Sequence, residues 1–162
     1  MNSLPCEIQQ EIIKHLSNKK EFRLVCQTWN RLVIPLITAI ILKPDVQAKT
    51  VLNTFTHVTE LDCDHNTSDI SDLTQLTKLY CNDNTSNISN LTNLTTLYCG
   101  GNTSDISNLT QLTKLECFCN TSDISNLTQL TELDCDHNTS DISNLTQLTK
   151  LECFCNTSDI SN

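Results

Sequence analysis

The chain has 162 residues, 38% hydrophobic and 4% aromatic, with one Trp and two Gly, a composition that argues against an aromatic-rich globular core. Its net charge of −9 is unevenly placed: residues 1–54 carry seven Lys/Arg against four Asp/Glu, and residues 55–162 carry three against fifteen. So acidic a second part speaks against binding a phosphate backbone, and it suits a basic or neutral protein partner.

The first element in chain order is helical. Ile8, Ile12 and Leu16 recur at i, i+4 and i+8, one face of a helix. Phe22, Val25, Cys26, Trp29, Leu32 and Val33 mark a second face, which Pro35 ends. Short helices of this kind bury little by themselves. The wording Leu4-Pro5-x-Glu7-Ile8, then Ile12-x-x-x-Leu16, then Leu24-Val25-Cys26-x-x-Trp29 resembles an F-box over roughly residues 3–37. The stretch between Leu16 and Phe22 is about a turn shorter than the family's. The resemblance implies docking onto the Skp-type adaptor of a cullin–RING (SCF-type) ubiquitin ligase through Leu4, Pro5, Ile8, Ile12, Leu16, Leu24, Val25 and Trp29. The competing reading of the same residues is a helical cap that shields the first repeat and binds no ligase.

Residues 38–54 read as an irregular first turn of the repeat array that begins at Phe55. A strand is expected at about 39–43, with Ile40 and Leu42 facing inward, and a short helix at about 45–52 after Pro44. The longest apolar stretch, Leu32–Leu42, is shorter than the roughly 20 residues a membrane span needs, so no membrane role is expected. Met1–Pro5 has no basic leader followed by an apolar run.

From Phe55 the chain divides into six 18-residue units: 55–72, 73–90, 91–108, 109–126, 127–144 and 145–162. Their frame is L-T-x-L-T-x-L-x-C-x-x-N-T-S-D-I-S-N, with apolar residues at positions 1, 4, 7, 9 and 16. The frame resembles the leucine-rich repeat, in a shortened internalin-like form. That resemblance implies an α/β repeat architecture: an F-box-like helical domain, then a solenoid with a parallel β-sheet on its concave face. On the convex face eighteen residues leave room only for short 3₁₀ or irregular turns. Alternation at positions 7 and 9 independently marks a short strand with one buried face. Asn66, Asn84, Asn102, Asn120, Asn138 and Asn156, all at position 12, are expected to satisfy backbone groups of adjoining turns. Leu151, Cys153 and Ile160 of the sixth unit would face an open edge.

Six of the ten Cys (Cys63, Cys81, Cys99, Cys117, Cys135 and Cys153) share position 9 and are expected as a free, inward ladder of small apolar residues. Disulfides between them would work against the stacking geometry. The expected setting is therefore a reducing intracellular compartment, cytoplasm or nucleus, or host cytoplasm for a viral protein.

The units differ at positions 6, 8, 10 and 11. Positions 6, 8 and 10 point away from the core, which confines diversity to one face. The candidate target-binding residues there are Lys78, Tyr80, Tyr98, Lys114, Glu116, Phe118, Asp134, Asp136, Glu152 and Phe154. Tyr80, Tyr98, Phe118 and Phe154 are expected to form a central aromatic patch rimmed by carboxylates. Drift after duplication also collects at exposed strand positions and is the plain alternative. His65, Cys119, His137 and Cys155 share position 11 beside Asp64 and Asp136. Units about 4.8 Å apart set Cys119 too far from Cys155 for a tetrahedral ion, so no metal is expected. With no nucleophile–base pair and no phosphate loop, the expectation is a non-enzyme without cofactor that recognises a protein target, in SCF adaptor form if the helices dock.

Overall fold

The computed structural model of the chain describes residues 38–44 and 57–154. The F-box-like segment 3–37, the expected helix at 45–52 and the last residues of the sixth unit, with Asn156 and Ile160, lie outside the described residues. Among the described residues seven strands follow in sequence: β1 (Ala39–Ile41), β2 (Glu60–Asp62), β3 (Lys78–Tyr80), β4 (Thr96–Tyr98), β5 (Lys114–Phe118), β6 (Glu132–Asp136) and β7 (Lys150–Phe154). They form one parallel sheet in the order β1 to β7, each strand paired with its neighbours in sequence. No helix among the described residues is long and apolar enough to cross a membrane.

The register is the repeat itself. Ile40, Leu61, Leu79, Leu97, Leu115, Leu133 and Leu151 face one another across six junctions. Because side chains alternate along a strand, positions 7 and 9 share the inward face. Leu79, Cys81, Leu97, Cys99 and Cys117 are fully covered there. The chain returns through two successive turns per unit, for example Leu91 N donating to Ile88 O at 3.0 Å and Leu94 N to Leu91 O at 3.0 Å. Those turns point Ile88, Leu91 and Leu94 into the same core. They are single turns and no 3₁₀ helix forms among the described residues.

The buried asparagines link the units. Asn102 Nδ2 donates to Asn84 O at 2.6 Å and to Ser86 O at 3.1 Å, while its Oδ1 accepts the Ser104 amide at 2.8 Å. Asn120 and Asn138 repeat the pattern one and two units later. A serine ladder runs beside it: Ser104 Oγ donates to Ser86 O at 3.0 Å and accepts the Ile88 amide at 3.3 Å. Each of these covered carboxamides thus spends its donors on the preceding unit and its acceptor on its own turn, pairing backbone groups that would otherwise be buried alone.

One expectation needs correction. The strand expected at about 39–43 ends at Ile41. Leu42 N still donates to Asp62 O at 2.7 Å, but Lys43 O is taken by Asn66 Nδ2 at 2.7 Å, and Pro44 has no amide with which to continue the ladder. The ninth-position cysteines are free, as expected, and Cys135 Sγ lies 2.7 Å from Cys153 Sγ.

Candidate functional site

Positions 6, 8 and 10 of adjacent strands align into three columns on the open face of the sheet. In the eighth-position column Asp62 adjoins Tyr80, Tyr98 and Glu116, followed by Asp134 and Glu152. Tyr80 and Tyr98 stack with ring centroids 4.4 Å apart and planes inclined by 16°. Strand spacing alone brings like rings to this separation. Lys78 Nζ lies 5.3 Å from the Tyr80 ring centre and Lys114 Nζ 5.7 Å from that of Tyr98, so a cation sits near each ring.

The expected aromatic patch is divided. Phe118 belongs to the tenth-position column, where Asp136 stands between it and Phe154. The Phe154 side chain lies outside the described residues. Phe118 leans toward β4: a methyl group at Gly100 would lie 3.5 Å from its ring and 2.8 Å from Asn82 Oδ1. The absence of a side chain at Gly100 lets the Asn82 carboxamide accept its amide at 2.6 Å.

Further along, the face is acidic. Glu116, Asp134 and Glu152 are consecutive across β5, β6 and β7. Partial burial, then the neighbouring Asp134, pushes the Glu116 carboxyl above its ordinary range. Partial burial, then Glu152, does the same to Asp134. Lys114 Nζ pairs with Glu132 at 2.7 Å and Lys150 Nζ with Glu152 at 2.8 Å. Asp134 Oδ1 is enclosed and accepts no hydrogen bond. A small pocket of about 30 Å³ opens here between Lys114, Glu116, Glu132, Asp134 and Lys150. It has room for the head of one polar side chain, not for a small-molecule substrate.

The eleventh position carries a constraint that the sequence reading missed. His65, Asp83, Cys119 and His137 all adopt positive φ, between 57° and 61°, and Gly101 has 73°. The signal was available: His, Asp and Gly share that slot, and these are residues that tolerate the left-handed region. The recurrence of His there therefore has a backbone cause. His65 Nδ1 lies 3.0 Å from Asp83 Oδ2. Among the described residues no group of three or more His, Cys, Asp and Glu is placed to hold a metal ion. The fifteenth-position aspartates close turns: Asp105 Oδ1 accepts the Ser107 amide and Asp123 Oδ1 the Ser125 amide, each at 2.9 Å. That amide bond holds both carboxyls below the ordinary range.

No protein-family model and no curated protein matches the chain. Among solved structures, an internalin (inlF) from Listeria monocytogenes str. 4b F2365 superposes with a TM-score of 0.60 at 24% identity, over 75% of this chain and 42% of that one. An internalin C2 (inlC2) from the same strain gives a TM-score of 0.44 at 23% identity, over 74% and 52% of the two chains. The present chain thus spans less than half of the inlF structure. The first likeness shows an internalin-like leucine-rich-repeat solenoid, in agreement with the 18-residue frame. It extends to the fold and not to an F-box.

Proposed function

We propose that the chain is a non-catalytic protein-recognition solenoid whose open sheet face captures a protein target. One observation carries this reading: the inward residues and the asparagine ladder are constant from unit to unit, while the columns at positions 6, 8 and 10 present aromatic, cationic and acidic side chains in turn. A rigid frame with a varied, solvent-facing sheet suits recognition by extended contact. Lys78, Tyr80, Tyr98, Lys114, Glu116, Phe118, Asp134, Asp136, Glu152 and Phe154 form the proposed target surface. The acidic second half favours a basic target.

The finer proposal is an SCF-type adaptor. It rests on the F-box-like wording of residues 3–37 alone, with Leu4, Pro5, Ile8, Ile12, Leu16, Leu24, Val25 and Trp29 docking the Skp-type adaptor. In that role the chain makes no bond; it brings a target near a recruited ubiquitin carrier in a reducing intracellular compartment. A pull-down with purified Skp-type adaptor tests it, using the parent chain, a Leu4→Ala/Pro5→Ala variant and a Trp29→Ala variant. Binding by the parent that both variants lose, with unchanged circular dichroism, supports the adaptor. No binding by the parent at tens of micromolar removes the ligase link and leaves a capped recognition solenoid.

A further inference from the structure

The ninth-position ladder is not uniform along its length. Cys63, Cys81, Cys99, Cys117 and Cys135 are fully covered, whereas Cys153 on β7 is only partly so. Cys135 and Cys153 are register partners, and their sulfurs are 2.7 Å apart. Among the described residues no other two thiols are so engaged; the Cys63 thiol, for comparison, donates to Tyr80 O at 3.3 Å. Neighbouring strands are about 4.8 Å apart, inside the roughly 4.4–6.8 Å between Cα atoms that a disulfide spans. Less than about 1 Å of sulfur movement separates the contact from a covalent bond of about 2.05 Å. The partial exposure of Cys153 gives an oxidant one sulfur to reach.

We propose that Cys135 and Cys153 are a covalent modification site, a thiol pair that a small disulfide such as oxidised glutathione converts into a bond between β6 and β7. The Cys153 thiolate attacks one sulfur of the oxidant, which forms a mixed disulfide and releases one glutathione thiolate. Cys135 then gives its proton to that thiolate. Its sulfur attacks Cys153 Sγ and expels the second glutathione. Two protein thiols are oxidised and one oxidised glutathione is reduced to two thiols. Burial pushes the Cys135 thiol well up, so the second step is the slow one, and the short contact compensates by making it intramolecular. The bond closes an 18-residue interval and fastens the sixth unit to the fifth.

The full chain carries its own readout, because trypsin cuts after Lys114 and Lys150. Cys117, Cys119 and Cys135 then lie in peptide 115–150, and Cys153 and Cys155 in peptide 151–162. After treatment with millimolar oxidised glutathione and alkylation of the remaining thiols, the two peptides should be joined through Cys135 and Cys153, with the loss of two hydrogens. The link should persist in a Cys119→Ser/Cys155→Ser variant and vanish in Cys153→Ser. The midpoint of thermal unfolding should rise on oxidation in the parent and stay put in Cys153→Ser. A stable glutathione adduct on Cys153 with Cys135 still open to alkylation on unfolding would overturn the proposal, as would a link that runs through Cys119 or Cys155. The parent's peptide map decides the matter even if a variant misfolds.

Discussion

The first three repeat strands and the last three stand on the same inward residues yet differ in length and in chemistry. Strands β2, β3 and β4 have three residues each, and β5, β6 and β7 have five. Position 10 shows the difference in bonding between the first strands and the last. Asp64 and Asn82 carry side-chain acceptors that take the amides of Asn82 and Gly100 at 2.8 and 2.6 Å. The adjoining cysteine carbonyls turn back to their own asparagines, Asn66 N to Cys63 O at 3.0 Å and Asn84 N to Cys81 O at 3.1 Å. Phe118 offers no acceptor, and backbone pairing runs on through Cys117 with Cys135 and Phe118 with Asp136. The strands thus differ in length and in bonding even though the buried frame does not change.

If the halves share a frame, the same frame mutation should cost the same in each. Asn102→Ala leaves the Ser104 amide and two carbonyls without their partner, at about 1–3 kcal/mol for each group that water cannot reach. Asn120→Ala removes the matching set one unit later. Urea denaturation should show both variants strongly and similarly destabilised; a large effect in one alone breaks the shared frame. Open-face substitutions should instead separate the halves. Tyr98→Ala should cost about 1 kcal/mol by losing its stacked partner Tyr80, whereas Glu116→Gln should cost nothing measurable at neutral pH. A Glu116→Gln loss as large as that of Tyr98→Ala in the same urea titration would refute the contrast.

The smallest expected effect depends on pH. The Glu116 and Asp134 carboxyls are raised in the folded chain, so their protonated forms are favoured there. Their contribution to stability is fully present below the ordinary carboxylate range and is lost as pH rises through their raised values. A Glu116→Gln/Asp134→Asn variant should therefore melt slightly above the parent at neutral pH, and the gap should close as pH falls through the carboxylate range. Asp105 and Asp123 act in the opposite sense: their lowered carboxyls contribute above that range and lose the contribution on acidification. Because these two are untouched in the variant, their loss appears equally in both chains. A gap that is as wide at pH 3 as at pH 7 would rule out repulsion in the acidic column.

Much of this was legible because a parallel ladder copies sequence period into spatial column. The leucine and cysteine faces, the position-12 asparagines and the division between frame and variable columns all follow from position within the 18-residue unit. What depends on neighbouring side chains was not legible. The unequal strands cannot be read from the inward residues, which are the same in both halves. The division of the aromatic patch, by contrast, was legible, since Tyr98 stands at position 8 of its unit and Phe118 at position 10. The left-handed backbone at position 11 was written in Gly101, Asp83 and His65, residues that tolerate it. The Cys135–Cys153 contact depends on the placement of two particular sulfurs, which a periodic pattern does not encode.

The carboxamide ladder also has a direction. Asn138 donates back to Asn120 O, Asn120 to Asn102 O, Asn102 to Asn84 O and Asn84 to Asn66 O, and Asn66 reaches Lys43 O, the carbonyl that begins the series. Among the described residues each asparagine junction between units is therefore the same lock and key, and the one at Lys43 is made by an irregular segment. Unequal crossing-over within the coding sequence would insert or delete a whole unit between neighbours that already fit it. Such an event changes the reach of the array and shuffles the order of its surface columns while creating no interface that selection has not already tested.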